Sequence, residues 1–136
     1  VLVDGAAAGL IRSAHDCAEG GLAITLAECC FDSGRGAVVD VNSIASGDGR
    51  FDLVATLFAE SASRVVVSVA ADRVAELLAL AGSAAVPVTR LGEVGGTAIR
   101  IAIDGVPAVE VPVSDAERIW STALESFFDP EHIDAR

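Results

Sequence analysis

The chain has 136 residues, a length that fits one domain rather than two, and its 52% hydrophobic content is ample for a core. No apolar run approaches the roughly 20 residues that a membrane-spanning helix needs. Twenty acidic residues against nine basic ones, all of them arginine, give a net charge of −11, which argues against nucleic acid and anionic membranes as partners.

The N-terminus is typical of a fragment. The chain begins at Val1 and contains no methionine, and its first dozen residues have the pattern of the back half of a helix. Asp4 and the Gly/Ala stretch after it match no region of a signal peptide. We therefore expect residues 1–136 to be a single domain cut from a larger, soluble, cytoplasmic protein.

Hydrophobic periodicity switches repeatedly between helical and strand patterns along the chain. The β-branched run at 64–69 predicts a central buried strand, and Asp104-Gly105 predicts a hairpin turn into a strand that Pro107 places at an edge. The predicted helices cover residues 1–12, 21–32, 51–59, 71–81 and 115–128. The predicted strands cover residues 13–18 (strand or loop), 37–41, 64–69, 86–91, 97–103 and 106–111.

The last predicted helix has an S-x-x-E capping box at Ser114 and Glu117. Its apolar stripe includes Trp120, Leu124 and Phe127, which we expect in the core. A polar loop at 42–50 and a polar tail at 129–136 complete the chain. The intermixed order of helices and strands predicts an α+β fold, with a mixed β-sheet covered by helices.

The three cysteines are an odd number and form no C-x-x-C pair, which is neither a disulfide framework nor a zinc motif. Cys29 and Cys30 fall in an apolar helical pattern, so we expect both to be buried. No nucleophile signature surrounds them, and we predict no catalytic cysteine.

Two segments are unusually polar for their positions. The first places His15 and Asp16 before Gly20-Gly21 at the start of a helix, where free N–H groups can bind an anion. Glycines before a helix are also commonly structural, and His15-Asp16 could be a hydrogen-bonded structural pair. One histidine and two nearby carboxylates are too few ligands for us to predict a metal site.

The second polar segment lies between a predicted helix and the strand at 64–69. Its residues Glu60 and Arg64 could hold a polar substrate at the end of the sheet. The alternative is a capped loop with a Glu60–Arg64 ion pair. Both interpretations remain open at this point.

Together these segments closely resemble one enzyme family. The stretches SAHDCAEGGLAITLAECCF, LFAESASRVVVSV and LGEV (91–94) are similar to the C-terminal domain of the synthetase subunit of phosphoribosylformylglycinamidine synthase, from about Leu10 to Phe128. The resemblance extends, more distantly, to the C-terminal domain of aminoimidazole ribonucleotide synthase. Ala18 and Ala59 depart from the serine and glycine that the family pattern favours.

The resemblance implies an ATP-dependent ligase of purine biosynthesis. Such enzymes use ATP, Mg²⁺ and glutamine-derived ammonia: ATP phosphorylates the amide oxygen of formylglycinamide ribonucleotide, and ammonia displaces the phosphate to form the amidine. This chain would be the second C-terminal-type domain of the subunit. The family's catalytic histidines and most of its ATP and metal ligands lie in other domains, so the resemblance assigns no catalytic or metal residue here.

The resemblance also implies candidate site residues that line a cleft for substrate or phosphate. The alternative is that this second half-site is structural. The H-D-x-x-x-G-G motif is occupied by His15, Asp16, Gly20 and Gly21, and the E-S-x-S-R motif by Glu60, Ser61, Ser63 and Arg64.

The expected partners are the rest of the synthetase subunit, a glutaminase subunit and a small accessory subunit, if Arg136 is a natural end rather than a truncation. The chain has no lysine and no P-loop pattern, so we expect it to bind no cofactor and turn over no ATP by itself. Rival interpretations are another enzyme of the superfamily, of the selenophosphate synthetase or thiamine-phosphate kinase type, and a non-catalytic binding module.

Overall fold

The computed structural model describes residues 1–45 and 51–127, without the side chains of the last three. The predicted loop at 42–50 lies partly, and the polar tail wholly, outside these residues. The helices are α1 (Leu2–Ala7), α2 (Gly21–Glu28), α3 (Leu53–Phe58), α4 (Val74–Ser83) and α5 (Val113–Phe127), with a 3₁₀ turn at Ala71–Arg73. The strands are β1 (Ile11–Asp16), β2 (Ala37–Val41), β3 (Val65–Val69), β4 (Gly92–Val94), β5 (Ala98–Ile103) and β6 (Val106–Pro112).

The described strands form two sheets. β1 and β3 pair antiparallel as a two-stranded sheet, and the other four lie in the order β4-β2-β5-β6. β2 and β5 are parallel, whereas the β4–β2 and β5–β6 pairs are antiparallel. The larger sheet is therefore mixed, which confirms the predicted α+β class.

The main core lies on one face of the four-stranded sheet. Ile99, Ile101 and Ile103 of β5 are each at most 4% exposed, as the alternation of their segment predicts. Leu26 of α2 and Leu57 of α3 belong to the same buried cluster. The opposite face is exposed in this chain, so the helices cover this sheet on one side.

The β5–β6 hairpin forms where Asp104-Gly105 predicts it. Both turn residues have positive φ, +50° and +77°, as a two-residue hairpin turn requires. β6 is an edge strand, and Pro107 therefore costs no ladder hydrogen bond to a further neighbour. The hairpin and edge predictions are confirmed.

The prediction that 64–69 forms a central strand is wrong. Among the described strands β3 pairs only with β1, and Val65 is exposed while the remaining residues of β3 are half-buried. A β-branched run favours a strand, but it does not specify how many neighbours that strand has.

The first helix is shorter than predicted, and Ile11 and Arg12 belong to β1. Gly9 has φ +65° and ends α1. Its N–H donates to the Ala6 carbonyl at 2.9 Å, and the Leu10 N–H donates to the Gly5 carbonyl at 2.8 Å. These two bonds form a Schellman motif, which stops the helix at this glycine.

Residues 86–91 were predicted as a strand, but the strand is β4, directly after them. The N–H of Asp40 in β2 donates to the Leu91 carbonyl at 2.8 Å, so pairing with β2 starts only there. Gly92 continues it, because a Cβ at this position would collide with the backbone of Val38. The close approach of two backbones, rather than β propensity, decides the position of this strand.

The final helix differs from its prediction in two respects. It begins at Val113, so Ser114 lies inside it, and the Glu117 carboxylate accepts a hydrogen bond from the N–H of Asp32 instead of closing a capping box. Where its apolar stripe is described, it is not core: Trp120 is 58% and Leu124 76% exposed. The side chain of Phe127 lies outside the described residues. None of the described helices is long and apolar enough to cross a membrane.

Candidate functional site

The two polar segments meet at the ends of paired strands. The antiparallel pairing of β1 with β3 sets His15 opposite Val66. Just beyond it, the N–H of Cys17 donates to the Arg64 carbonyl at 2.9 Å. The N–H of Gly20 donates to Oε1 of Glu60, also at 2.9 Å. Residues that are far apart in sequence therefore form one site at this end of the two-stranded sheet.

The Gly20-Gly21 turn needs glycine for conformational and packing reasons. Both residues have positive φ, +75° and +66°, and Gly20 is the N-cap of α2. A Cβ on Gly21 would lie 2.6 Å from the carbonyl carbon of Phe58. Gly21 is buried in this contact, so its immediate role is to let α2 approach the end of α3.

His15 is held by residues on both sides of its ring. Nδ1 lies 2.9 Å from the carbonyl oxygen of Asp16, and Nε2 lies 3.3 Å from Oε2 of Glu28. The ring borders an open concavity of about 250 Å³ whose other lining residues include Ala18 and Glu19. Sequence reasoning missed Glu28, because no local motif connects this residue near the end of α2 with β1.

The concavity carries three carboxylates, those of Asp16, Glu19 and Glu28, beside the single imidazole of His15. This lining disfavours a bare anion unless a cationic group accompanies it. Among the described residues, no group of three or more His, Cys, Asp or Glu side chains is arranged to hold a metal ion.

Arg64 stabilises the loop between α3 and β3. Its Nη2 donates to the carbonyl of Ala59 at 2.7 Å, whereas its buried Nε has no hydrogen-bond partner within residues 1–45 and 51–127. Because Glu60 binds Gly20 instead, the alternative Glu60–Arg64 ion pair is not formed. A buried donor without a partner is uncommon and costs stability.

The two serines of the second motif lie on the same loop. Ser61 and Ser63 are exposed, and Ser63 has φ +66°. Their hydroxyls make no hydrogen bond within the described part of the chain. The structure therefore joins Glu60 and Arg64 to the first motif and leaves both serines facing outward.

The cysteines differ from one another. Cys17 and Cys30 are buried, as an apolar pattern predicts for Cys30, but Cys29 is exposed, and the prediction for it is wrong. α2 ends at Glu28, so Cys29 leaves the helical periodicity on which that prediction relied. Desolvation raises the pKa of both Cys29 and Cys30, which weakens them as nucleophiles at neutral pH.

Comparison with known families identifies the domain. The model of the family described as AIR synthase related protein, C-terminal domain, matches residues 1–117. The chain belongs to this family. The match includes both motifs and all six strands described above, and it ends within α5.

Its sequence relatives include PurL subunits of phosphoribosylformylglycinamidine synthase. The phosphoribosylformylglycinamidine synthase subunit PurL of Thermobifida fusca is 41% identical over 128 residues, 94% of this chain and 16% of the relative. The same subunit of Thermomicrobium roseum is 40% identical over 121 residues, with 89% and 16% covered. These matches confirm the resemblance to PurL, although the chain spans only about a sixth of these relatives.

Solved structures of PurL from Thermotoga maritima share the fold. The protein complexed with ATP superposes with a TM-score of 0.72 at 21% identity, covering 85% of this chain and 20% of that one. The complex with FGAR gives the same TM-score, with 19% of that chain covered. At this identity the likeness establishes the architecture alone.

Proposed function

We propose that this chain is a C-terminal-type domain, the second of its kind, in the synthetase subunit of phosphoribosylformylglycinamidine synthase. The complete enzyme would convert formylglycinamide ribonucleotide, ATP and glutamine-derived ammonia to formylglycinamidine ribonucleotide. The observation that carries the proposal is the 41% identity to a PurL subunit across 94% of the chain. The family of this domain is described by its relation to AIR synthase and so is broader than PurL. The 41% identity to a PurL subunit favours a PurL domain over a domain of the selenophosphate synthetase or thiamine-phosphate kinase type.

ATP and Mg²⁺ would be cofactors of the complete enzyme. The complexes of Thermotoga maritima PurL with ATP and with FGAR support ATP and formylglycinamide ribonucleotide as its ligands. The described residues of this chain do not fit a Mg²⁺ site, and we assign that ion to other domains. This domain would then contribute walls of a cleft rather than catalytic groups.

The solved structure of PurLQS from Thermotoga maritima supports a complex of the synthetase with further subunits. We propose a glutaminase subunit and a small accessory subunit as partners, in the cytoplasm, in addition to the remaining domains of the synthetase. A glutaminase is required by the chemistry, because free ammonia must be released from glutamine before it can displace phosphate.

Within this domain, we propose that the joined motifs face the neighbouring domain and line the cleft for substrate or phosphate. The residues concerned are His15, Asp16, Gly20, Gly21, Glu60, Ser61, Ser63 and Arg64. The support is geometric: the hydrogen bonds of Gly20 to Glu60 and of Cys17 to Arg64 bring both motifs to one end of the two-stranded sheet. The outward-facing Ser61 and Ser63 leave hydroxyls available to a ligand.

The test uses the complete polypeptide that contains this chain. We expect ATP- and ammonia-dependent amidine formation by that protein and no ATP turnover by residues 1–136 alone. Formation of ADP and phosphate without the amidine by the complete protein would contradict the proposed reaction. Turnover by the fragment, with contaminating ATPase excluded, would contradict its assignment as a non-catalytic domain.

The site proposal has its own variant. His15→Ala in the complete enzyme should lower amidine formation while the melting temperature stays close to the original. Arg100→Ala is a matched control. Like His15, Arg100 contacts a glutamate, but it lies on the exposed face of the four-stranded sheet. Full activity of the His15 variant, or a loss that only follows stability, would assign the motif a structural role.

A further inference from the structure

The carbonyl oxygen of Asp16 is shared by two side chains. It lies 2.9 Å from Nδ1 of His15 and accepts a 3.2 Å hydrogen bond from the hydroxyl of Thr25. A carbonyl only accepts, so Nδ1 carries the hydrogen in this contact. Thr25 is buried, and its hydroxyl also contacts the carbonyl of Gly21 at 2.9 Å. The end of β1 is thereby anchored to the first turn of α2.

This anchor determines where the last turn of α2 lies. Glu28 follows Thr25 by three residues, so the two lie on neighbouring positions of one helix face. From there Oε2 of Glu28 reaches to 3.3 Å from Nε2 of His15. A carbonyl and a carboxylate both accept, so both ring nitrogens must carry hydrogen. In its imidazolium form His15 is thus held at both nitrogens, by a backbone carbonyl on its own strand and by a carboxylate from the helix.

We infer that Glu28 is a positioning residue, which fixes the ring of His15 in the orientation it presents to the cleft. This inference rests on the proposed function. Glu28 is better placed for the role than Asp16, whose Oδ1 is 3.8 Å from the ring and whose side chain is 73% exposed, against 27% for Glu28. The remaining charged group at this concavity, Glu19, makes no ion pair within the described residues.

A ring held at both ends cannot rotate about its Cβ–Cγ bond without losing both contacts. A ligand group that reaches the concavity would therefore meet His15 in one orientation, and the cost of ordering the ring is already met in the free protein. Removing Glu28 should leave the ring held at Nδ1 alone, so that rotation then costs one contact instead of two.

The experiment uses the complete enzyme with Glu28→Ala, Glu28→Gln and Glu110→Ala. Glu110 is the control, because its carboxylate also holds one cationic partner, Arg100 at 2.8 Å, but lies on the other sheet. The first readout is the rate at which diethyl pyrocarbonate modifies His15 at one fixed pH, followed by peptide mass spectrometry. The second is the separate measurement of kcat and KM for amidine formation.

Glu28→Ala should speed the modification of His15 roughly threefold, as expected for loss of one half-exposed contact. It should also raise KM for the ribonucleotide by roughly five- to tenfold, because the ring is no longer preorganised. Glu28→Gln keeps a hydrogen-bonding group and should fall between the alanine variant and the unsubstituted enzyme. Glu110→Ala should change neither readout.

A double-mutant cycle decides whether Glu28 acts through His15. In the His15→Ala background, Glu28→Ala should have no further effect on KM. An equal effect in both backgrounds overturns the inference, and so does faster modification of His15 with unchanged kinetics. If the unsubstituted enzyme forms no amidine, the proposed function fails, whereas the modification rates still test whether Glu28 holds the ring.

Discussion

The N–H of Gly20 donates a 2.9 Å hydrogen bond to Oε1 of Glu60, a residue 40 positions further along the chain. Gly20 is the N-cap of α2, which begins at the end of the first motif, and Glu60 begins the second motif. The bond connects two loops, and neither Gly20 nor Glu60 belongs to a strand. It joins the first motif directly to the second.

Glu60→Ala should destabilise the domain by about 0.5–1.5 kcal/mol, the usual net contribution of one hydrogen bond. Chemical denaturation measures this loss. Glu93→Ala is the control, because the Glu93 side chain is 79% exposed and pairs only with Arg90 at the surface. Equal losses for the two variants would show that the Gly20–Glu60 bond contributes nothing specific.

Gly21→Ala should cost about 2–4 kcal/mol, since it combines a strained positive φ with a contact of 2.6 Å to the Phe58 backbone. Gly82→Ala should instead gain about 0.5–1 kcal/mol, because Gly82 lies in α4 with open space around it. Thermal unfolding of both variants checks the pair. A Gly21 variant as stable as the original chain would disprove the close approach of α2 to α3.

Ala85→Gly should stabilise the domain by about 0.5–1 kcal/mol. Ala85 has φ +54° just after α4, where its N–H donates to the carbonyl of Gly82 and the N–H of Val86 donates to that of Ala81. Glycine adopts this left-handed conformation without the steric cost of a Cβ. Ala84→Gly, at φ −93°, should not stabilise, and a gain there as well would point to a different cause.

Asp104 predicts a pH dependence of stability. Hydrogen bonds from the side chain and backbone of Ser43 lower the pKa of this carboxyl below its ordinary value of 3.8. A carboxyl whose pKa is lower in the folded than in the unfolded protein stabilises the fold. This stabilisation is fully present when the pH is above the unfolded-state pKa and is lost as the pH falls through the folded-state pKa. Asp104→Asn should therefore be less stable than the original at pH 7, and the difference should shrink below pH 3.8. A difference that is constant with pH would exclude the carboxylate as its source.

Alkylation should separate the cysteines. Iodoacetamide should label Cys29 first, because Cys17 and Cys30 are buried and react only after local opening. Although the Cys29 residue is exposed, partial desolvation of its thiol, together with the neighbouring Cys30, Cys17 and Glu28, raises its pKa above 9.0, so its labelling rate should still be rising steeply at pH 9. Peptide mass spectrometry assigns the sites, with Cys29→Ser as control. Fast labelling that persists in that variant would contradict the exposure of Cys29.

Local patterns predicted several elements closely. The strand at 37–41 has the predicted bounds, and the hairpin follows from Asp104-Gly105 because its turn needs residues that tolerate positive φ. The burial of alternate isoleucines in β5 follows from the two-residue repeat of a strand. Each of these features depends on residues within a few positions of one another.

The candidate site was predicted in part. The sequence motifs include His15 and Glu60, and the family resemblance predicts that both line one cleft. Neither the motifs nor the resemblance indicated that Glu60 accepts a hydrogen bond from the Gly20 N–H. Glu28 had no signal, because its contact with His15 depends on how α2 lies against β1. The ion pair between Glu60 and Arg64, which the sequence left open as an alternative, does not form, because nearness in sequence does not determine which partner a side chain meets in the fold.

By itself, the sequence determined the α+β class, most of the helices and strands, the hairpin and the family, because periodicity, turn residues and motif wording are local properties. Only the tertiary structure decided that, among the described strands, β3 pairs with β1 alone and that Trp120 and Leu124 on the apolar face of α5 are exposed. The physical reason is the same for both. An apolar pattern specifies which face avoids water, whereas the surface that covers this face is supplied by residues distant in the chain.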